Sequence, residues 1–152
     1  MQRSYSSAER VVRSRFGKAL LLPMQKAQAD ELGLRNHIAL ASMRAGQGSL
    51  TAAQHLLEAI VLTGFLVEAG FGELEPEQFT AAELAVCEAI EQGSLTGKWL
   101  LGSDASRYLE IIVTLYDQQL REAPLSAVVQ AGERLRRFKS GLPFGLNRKR
   151  GR

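Results

Sequence analysis

The sequence predicts an all-α protein: a single-domain bundle of about five to six helices around a buried central helix, with a basic C-terminal tail. Three observations carry this. Leu50–Phe71 reads as one helix, and between Leu56 and Val67 it is apolar on nearly every face, broken only by Glu58, Thr63 and Gly64. A helix apolar all round has to be covered by other helices. Capping-box pairs, in which side chain and backbone satisfy each other at a first turn, recur as Ser6 with Glu9, Thr51 with Gln54 and Thr80 with Glu83. The length of 152 residues suits one domain with a real core.

In chain order, residues 1–17 form a basic N-terminal arm, 18–141 the bundle and 142–152 a disordered basic tail. After Ser6 a short basic helix carries Arg10, Arg13 and Arg15 and ends at Gly17; Val12 and Phe16 are its docking residues. Lys18–Leu22 reads as extended, and Pro23 fits the first turn of the next helix. Met24–Ala45 is helical, with a weak point at Gly33 and a core stripe of Leu34, Ile38, Ala41 and Ala45. Gly46 and Gly48 end it, and the central helix follows until Gly70 stops it. Phe71–Gln78 is a loop. Thr80–Gln92 is an acidic helix stopped by Gly93, and Ser94–Ser103 is a link carrying Trp99. Ser103 or Asp104 caps a helix to about Glu122, with a stripe of Tyr108, Leu109, Ile112, Leu115, Tyr116 and Gln119 or Leu120. Pro124 starts the last helix, whose core face is Leu125, Val128, Val129, Leu135 and Phe138. The pentapeptide QGSLT occurs at 47–51 and again at 92–96, each copy read as a helix-stop, helix-start device.

The net charge of +3 hides an asymmetry. Residues 1–44 carry +5, residues 45–133 carry −10 and residues 134–152 carry +8 with no acid at all. Basic ends around an acidic middle point to an anionic partner; the alternatives are ends folded back on the middle, or a merely solvated tail. Contact with phosphates through such groups releases counterions and gives affinity without sequence readout. The residues placed in that role are Arg134, Arg136, Arg137, Lys139, Arg148, Lys149, Arg150 and Arg152, with Arg10, Arg13 and Arg15 as a second patch. Phe138 and Phe144 interleave with these charges, although Phe138 fits the core face better than a stacking role.

Chemistry-bearing motifs are missing. His37 and His55 are the only histidines, Cys87 is the only cysteine, and no spacing suits a metal. A Cys87–His55 nucleophile pair is formally open, but Cys87 reads as a small core residue. No phosphate-cradling glycine motif and no nucleophile elbow is present. The expectation is a non-enzymatic protein with no cofactor and no metal. The lone cysteine suits a reducing cytoplasm. Arg3, Ser4, Tyr5 and Arg10 do not make a secretory signal. No membrane span is expected, since the longest charge-free run of the central helix, Ala59–Val67, is far short of the ~20 residues a bilayer needs.

A standard helix-turn-helix is not expected at residues 104–139. A recognition helix presents its N-terminal part to the groove, and here that part is Leu125, Ala127, Val128 and Val129.

The segments FGKALLLPM (16–24), LASMRAGQG (40–48), LVEAGFG (66–72), LYDQQL (115–120) and the AP with RLRRF of 123–138 resemble a group of small proteobacterial proteins. These occur on plasmids and integrative elements and carry the label of Fis family transcriptional regulators. The resemblance spans roughly residues 10–140. It implies a bacterial cytoplasmic setting on a mobile element and a regulatory or accessory role. It assigns no site residue.

Two functional expectations follow. In the first, a small regulatory or accessory protein contacts DNA or RNA phosphates through its basic ends. In the second, an adaptor or inhibitor docks on a basic protein through Glu68, Glu73, Glu75, Glu77, Glu83, Glu88 and Glu91. Alanine- and glycine-rich helix faces also permit a homodimer.

Overall fold

The structure, a computed structural model, describes residues 17–139. A helical turn at 17–21 precedes five helices: α1 Lys26–Arg44, α2 Leu50–Glu68, α3 Pro76–Thr96, α4 Ser103–Glu122 and α5 Leu125–Lys139. No strand occurs among the described residues. The Ser6–Glu9 box, Arg10, Arg13, Arg15, Arg148, Lys149, Arg150, Arg152 and Phe144 lie outside them.

The all-round apolarity of α2 is met by burial. It packs against α1, α3, α4 and α5, and its side chains join two core clusters. In one, Leu56 and Ile60 meet Met43, Val86, Leu109 and Ile112. In the other, Ala59, Phe65 and Leu66 meet Ala29, Tyr116, Leu120 and Ala131. By length and composition alone α2 is apolar enough to cross a bilayer, and half of that apolar stretch is buried within the bundle.

Several helix ends differ from the sequence reading. Ser49, not Thr51, caps α2: its backbone is extended and its hydroxyl accepts from the Ala52 N–H at 3.1 Å. α3 starts four residues before Thr80, because Pro76 occupies its first turn and Glu75 forms the capping box with Gln78. It also runs through Gly93 to Thr96, and Gly97, at φ 73°, supplies the left-handed stop. The second QGSLT copy is therefore the end of α3 itself. α4 is capped by Gly102 without a side-chain bond, so neither Ser103 nor Asp104 does this work. Residues 17–21 are helical rather than extended, and Gly17 does not end a helix.

The face of α1 is the largest correction. Leu34, Ile38, Ala41 and Ala45 are exposed, while Ala29, Gly33, Asn36, Leu40 and Met43 are buried. Close approach explains the choice. A Cβ on Gly33 would stand 2.5 Å from Asp117 Oδ1, so glycine lets α1 press against α4. Two ion pairs and a hydrogen bond hold that orientation: Asp30 with Arg121 at 3.3 Å, Arg44 with Glu110 at 3.4 Å, and His37 Nε2 with Asp117 Oδ2 at 2.6 Å.

α5 is likewise centred differently. Ala131 is its buried residue, with Ala127, Val128 and Leu135 leaning on the core, whereas Val129 and Phe138 are about half exposed. Small residues at 127 and 131 let the helix lie close on α2. Cys87, expected inside, is exposed on α3 because the core edge of that helix is Ala82, Val86, Ala89 and Gly93.

The connections are cross-tied. The Gly48 N–H donates to the Trp99 carbonyl at 3.3 Å, and the Leu101 N–H donates to the Met43 carbonyl at 3.0 Å. At the opposite end, buried Gln119 donates its amide to the carbonyls of Thr63 (3.2 Å) and Phe71 (2.8 Å).

Tyr116, on the buried face of α4, makes stability pH-dependent. Burial pushes its hydroxyl up to about 12; Arg35 lowers it, and Glu58 and Asp117 add to the rise. The folded value exceeds the unfolded one of about 10. The stability from this group is therefore complete below about pH 10 and is lost as pH rises through about 12. Melting temperatures of the wild type measured from pH 9 upward are expected to fall more steeply than those of Tyr116→Phe; equal slopes would remove Tyr116 from the account.

Candidate nucleic-acid interface

The sequence places its densest positive charge at the end of α5. Pro124 starts that helix, accepting from the Ala127 N–H at 2.9 Å, and the Leu125 N–H is tied to the Leu22 carbonyl at 2.8 Å. From there α5 lies chiefly on α2, and its Ala131 also joins Tyr116 and Leu120 of α4 in one core cluster. Arg136, Arg137 and Lys139 fill the last turn, where cations also suit the negative end of the helix dipole.

These cations are in contact with the acids of the bundle. Arg134 pairs with Glu68 at 2.7 Å, and its guanidinium stacks over the Phe65 ring, 3.9 Å from the centroid. Lys139 pairs with Glu58. Arg136 pairs with Glu133 one turn back on its own helix, at 2.6 Å. That hydrogen bond, followed by the charge of Arg136, holds the Glu133 carboxyl below the usual glutamate range and raises Arg136 in turn. Arg137 and Phe138 also make contacts within the chain. Thus the described basic end is folded back on the acidic middle, one of the arrangements the charge layout allowed.

The pairing leaves the cations available for exchange. Arg136 retains 75% of its side-chain surface and Lys139 57%. Exposed ion pairs of this kind are worth little, because water and salt screen them. Phosphate oxygens, which bind guanidinium in a fork, compete with such pairs readily.

Glu58 is the residue at this site that sequence reasoning did not single out; Glu68, placed there in an acidic docking set, pairs with Arg134. The signal was present. Glu58, Val61, Phe65 and Glu68 recur at three- and four-residue spacing, so one strip of α2 carries an acid at each end and an aromatic between. Neutralising both, as Glu58→Gln with Glu68→Gln, is expected to tighten duplex binding severalfold at low salt. Fluorescence anisotropy with a labelled duplex checks this; weaker binding would mean that the carboxylates position the cations instead of competing for them.

The other candidate residues are dispersed. His55 lines a groove between α1 and α2, and Cys87 lies exposed on α3. Burial, and then Glu83, push the Cys87 thiol up, away from thiolate reactivity. His37 is taken up by Asp117. Among the described residues, no group of three or more His, Cys, Asp or Glu side chains could hold a metal ion. In the acidic set, Glu68 pairs with Arg134, Glu75 caps α3, and Glu88 and Glu91 stand exposed on α3 beside Cys87.

Comparisons with protein-family models, curated proteins and solved structures return no match to this chain. The class that the coordinates define is an all-α helical bundle.

Proposed function

We propose that this protein is a small, non-enzymatic regulatory or accessory factor that contacts nucleic-acid phosphates through its basic C-terminal region, residues 134–152, with Arg10, Arg13 and Arg15 as a second patch. One observation carries the reading: eight basic residues and no acid fill the last nineteen positions, beginning on the final turns of α5. Release of condensed counterions is the driving term, so binding is sequence-independent and salt-sensitive. The resemblance to small proteins of bacterial plasmids and integrative elements supports a regulatory theme in a cytoplasmic setting. Titration of labelled duplex and single strands at rising salt tests the reading. Binding at low salt that weakens steeply is expected; no binding by the full chain at low salt would overturn it.

A second reading rests on α3. Leu84 stands 57% exposed there among Glu83, Glu88 and Glu91. An apolar residue ringed by acids suits a partner protein with a basic, partly apolar surface. Loss of a captured protein partner on Leu84→Lys, with nucleic-acid binding intact, would favour this second reading.

A further inference from the structure

Helix α1 has two apolar stripes, and the bundle uses one. Ala29, Gly33, Asn36, Leu40 and Met43 face α2 and α4. On the opposite side Glu31, Leu34, Ile38, Ala41 and Ala45 alternate at spacings of three and four, and all are exposed. Leu34 keeps 60% of its surface and Ile38 56%. This three-and-four alternation is the spacing of a coiled-coil seam. Beside it, Leu34 and Ile38 wall a groove of about 510 Å³ that α1 shares with Thr51, Ala52 and His55 of α2.

The flank of the stripe is polarised. Asp30 lies near its N-terminal end, His37 at its middle and Arg44 at its C-terminal end, each already turned toward α4 by its polar contact there. Such a flank is complementary to itself run backwards. An antiparallel copy puts Arg44 opposite Asp30 at both ends and His37 opposite His37 at the centre. The seam agrees with this direction. Run antiparallel, layers pair Leu34 with Ile38 and Glu31 with Ala41; run parallel, they would set Glu31 against Glu31. Arg35 also meets Arg35, on the flank beside α2. There Glu31 of each chain lies one turn away on its own helix.

We propose that a second copy of this chain seats its α1 antiparallel on this stripe, giving a two-fold dimer with Leu34 and Ile38 at its centre. The contact is isologous, so it closes at two copies. The Asp30–Arg121 and Arg44–Glu110 pairs of each chain extend across it into four-residue charge arrays. The α1 seam is formed by residues separate from the basic C-terminal region, so the dimer does not depend on the nucleic-acid reading.

Sedimentation equilibrium of the full chain is expected to show a dimer. Ile38→Glu, at an exposed position that leaves the fold intact by circular dichroism, is expected to raise the dissociation constant about thirtyfold or more. Direction is read by crosslinking in a Cys87→Ser background. A mixture of Glu31→Cys and Ala41→Cys chains is expected to form the mixed disulfide, and neither variant alone a homodisulfide at a comparable rate. A monomeric wild type, a dimer indifferent to Ile38→Glu, or homodisulfides that match the mixed one would each overturn the proposal.

Discussion

A chain ending at Ser140 is expected to bind duplex DNA with a salt dependence about three to four logarithmic units shallower than the full chain. The removed segment carries Arg148, Lys149, Arg150 and Arg152. Each phosphate that such a group neutralises contributes about 0.9 to the slope of log K against log salt on B-form DNA. The shortened chain keeps Arg134, Arg136, Arg137 and Lys139, three of which pair with Glu68, Glu133 and Glu58. Its residual binding is therefore weak, and adding Glu58→Gln and Glu68→Gln to it recovers part of the loss. Filter binding across a salt series measures both slopes. Equal slopes for the two chains would place the phosphate contacts elsewhere. The shortened chain keeps every residue of the two described core clusters.

The largest expected effect on stability is that of Gly93→Ala. A Cβ there would lie under 3.0 Å from three ring carbons of Trp99. The indole is a rigid bicycle with no flexible end to swing away, and it packs against the cluster around Leu56 and Ile60. Either the ring leaves its seat or the last turn of α3 moves. Overpacking of this kind costs about 1–3 kcal/mol. For a chain of this length that lowers the melting temperature by roughly 2–4 °C per kcal/mol. Trp99 is the only tryptophan, so its emission reports the displacement directly. Gly132→Ala is the matching control: that glycine sits in α5 with nothing within 4 Å of an added Cβ. There the same change favours the helix by up to about 1 kcal/mol. Opposite signs at the two glycines are the expected result; an unchanged melt and unchanged emission for Gly93→Ala would sink the packing argument.

These two glycines also show where sequence reading stops. Gly93 looks like a helix stop, but its meaning is set by Trp99, six residues on and folded back over it. Gly97, three positions before the next apolar pair, is the actual stop. The all-α class and the span of α2 were legible because apolarity on every face has one solution, cover by neighbouring helices. The stretch ending at Glu122 was legible because Pro124 follows it after a single residue, Ala123. The orientation of α1 was not. Two stripes at helical spacing compete there, and the larger side chains, Leu34 and Ile38, lost to a face whose Gly33 allows closer contact with α4. At the candidate site the cations were legible as charge, while their partners were not. Lys139 meets Glu58 across 81 positions and Arg134 meets Glu68 across 66, separations that no local pattern encodes.

The cross-ties between connections bear on how the bundle moves. The turn between α1 and α2 and the segment between α3 and α4 hold each other through Gly48, Trp99, Met43 and Leu101. Gln119 fastens α4 to the end of α2 and to Phe71 just beyond it. Parting any two of these four helices breaks a tie belonging to the others, so they open together as one cooperative unit. α5 stands outside that unit, resting on α2 with its first turn tied to Leu22. The element that carries the charge has fewer such backbone ties, so its amides are expected to exchange ahead of those of α1–α4.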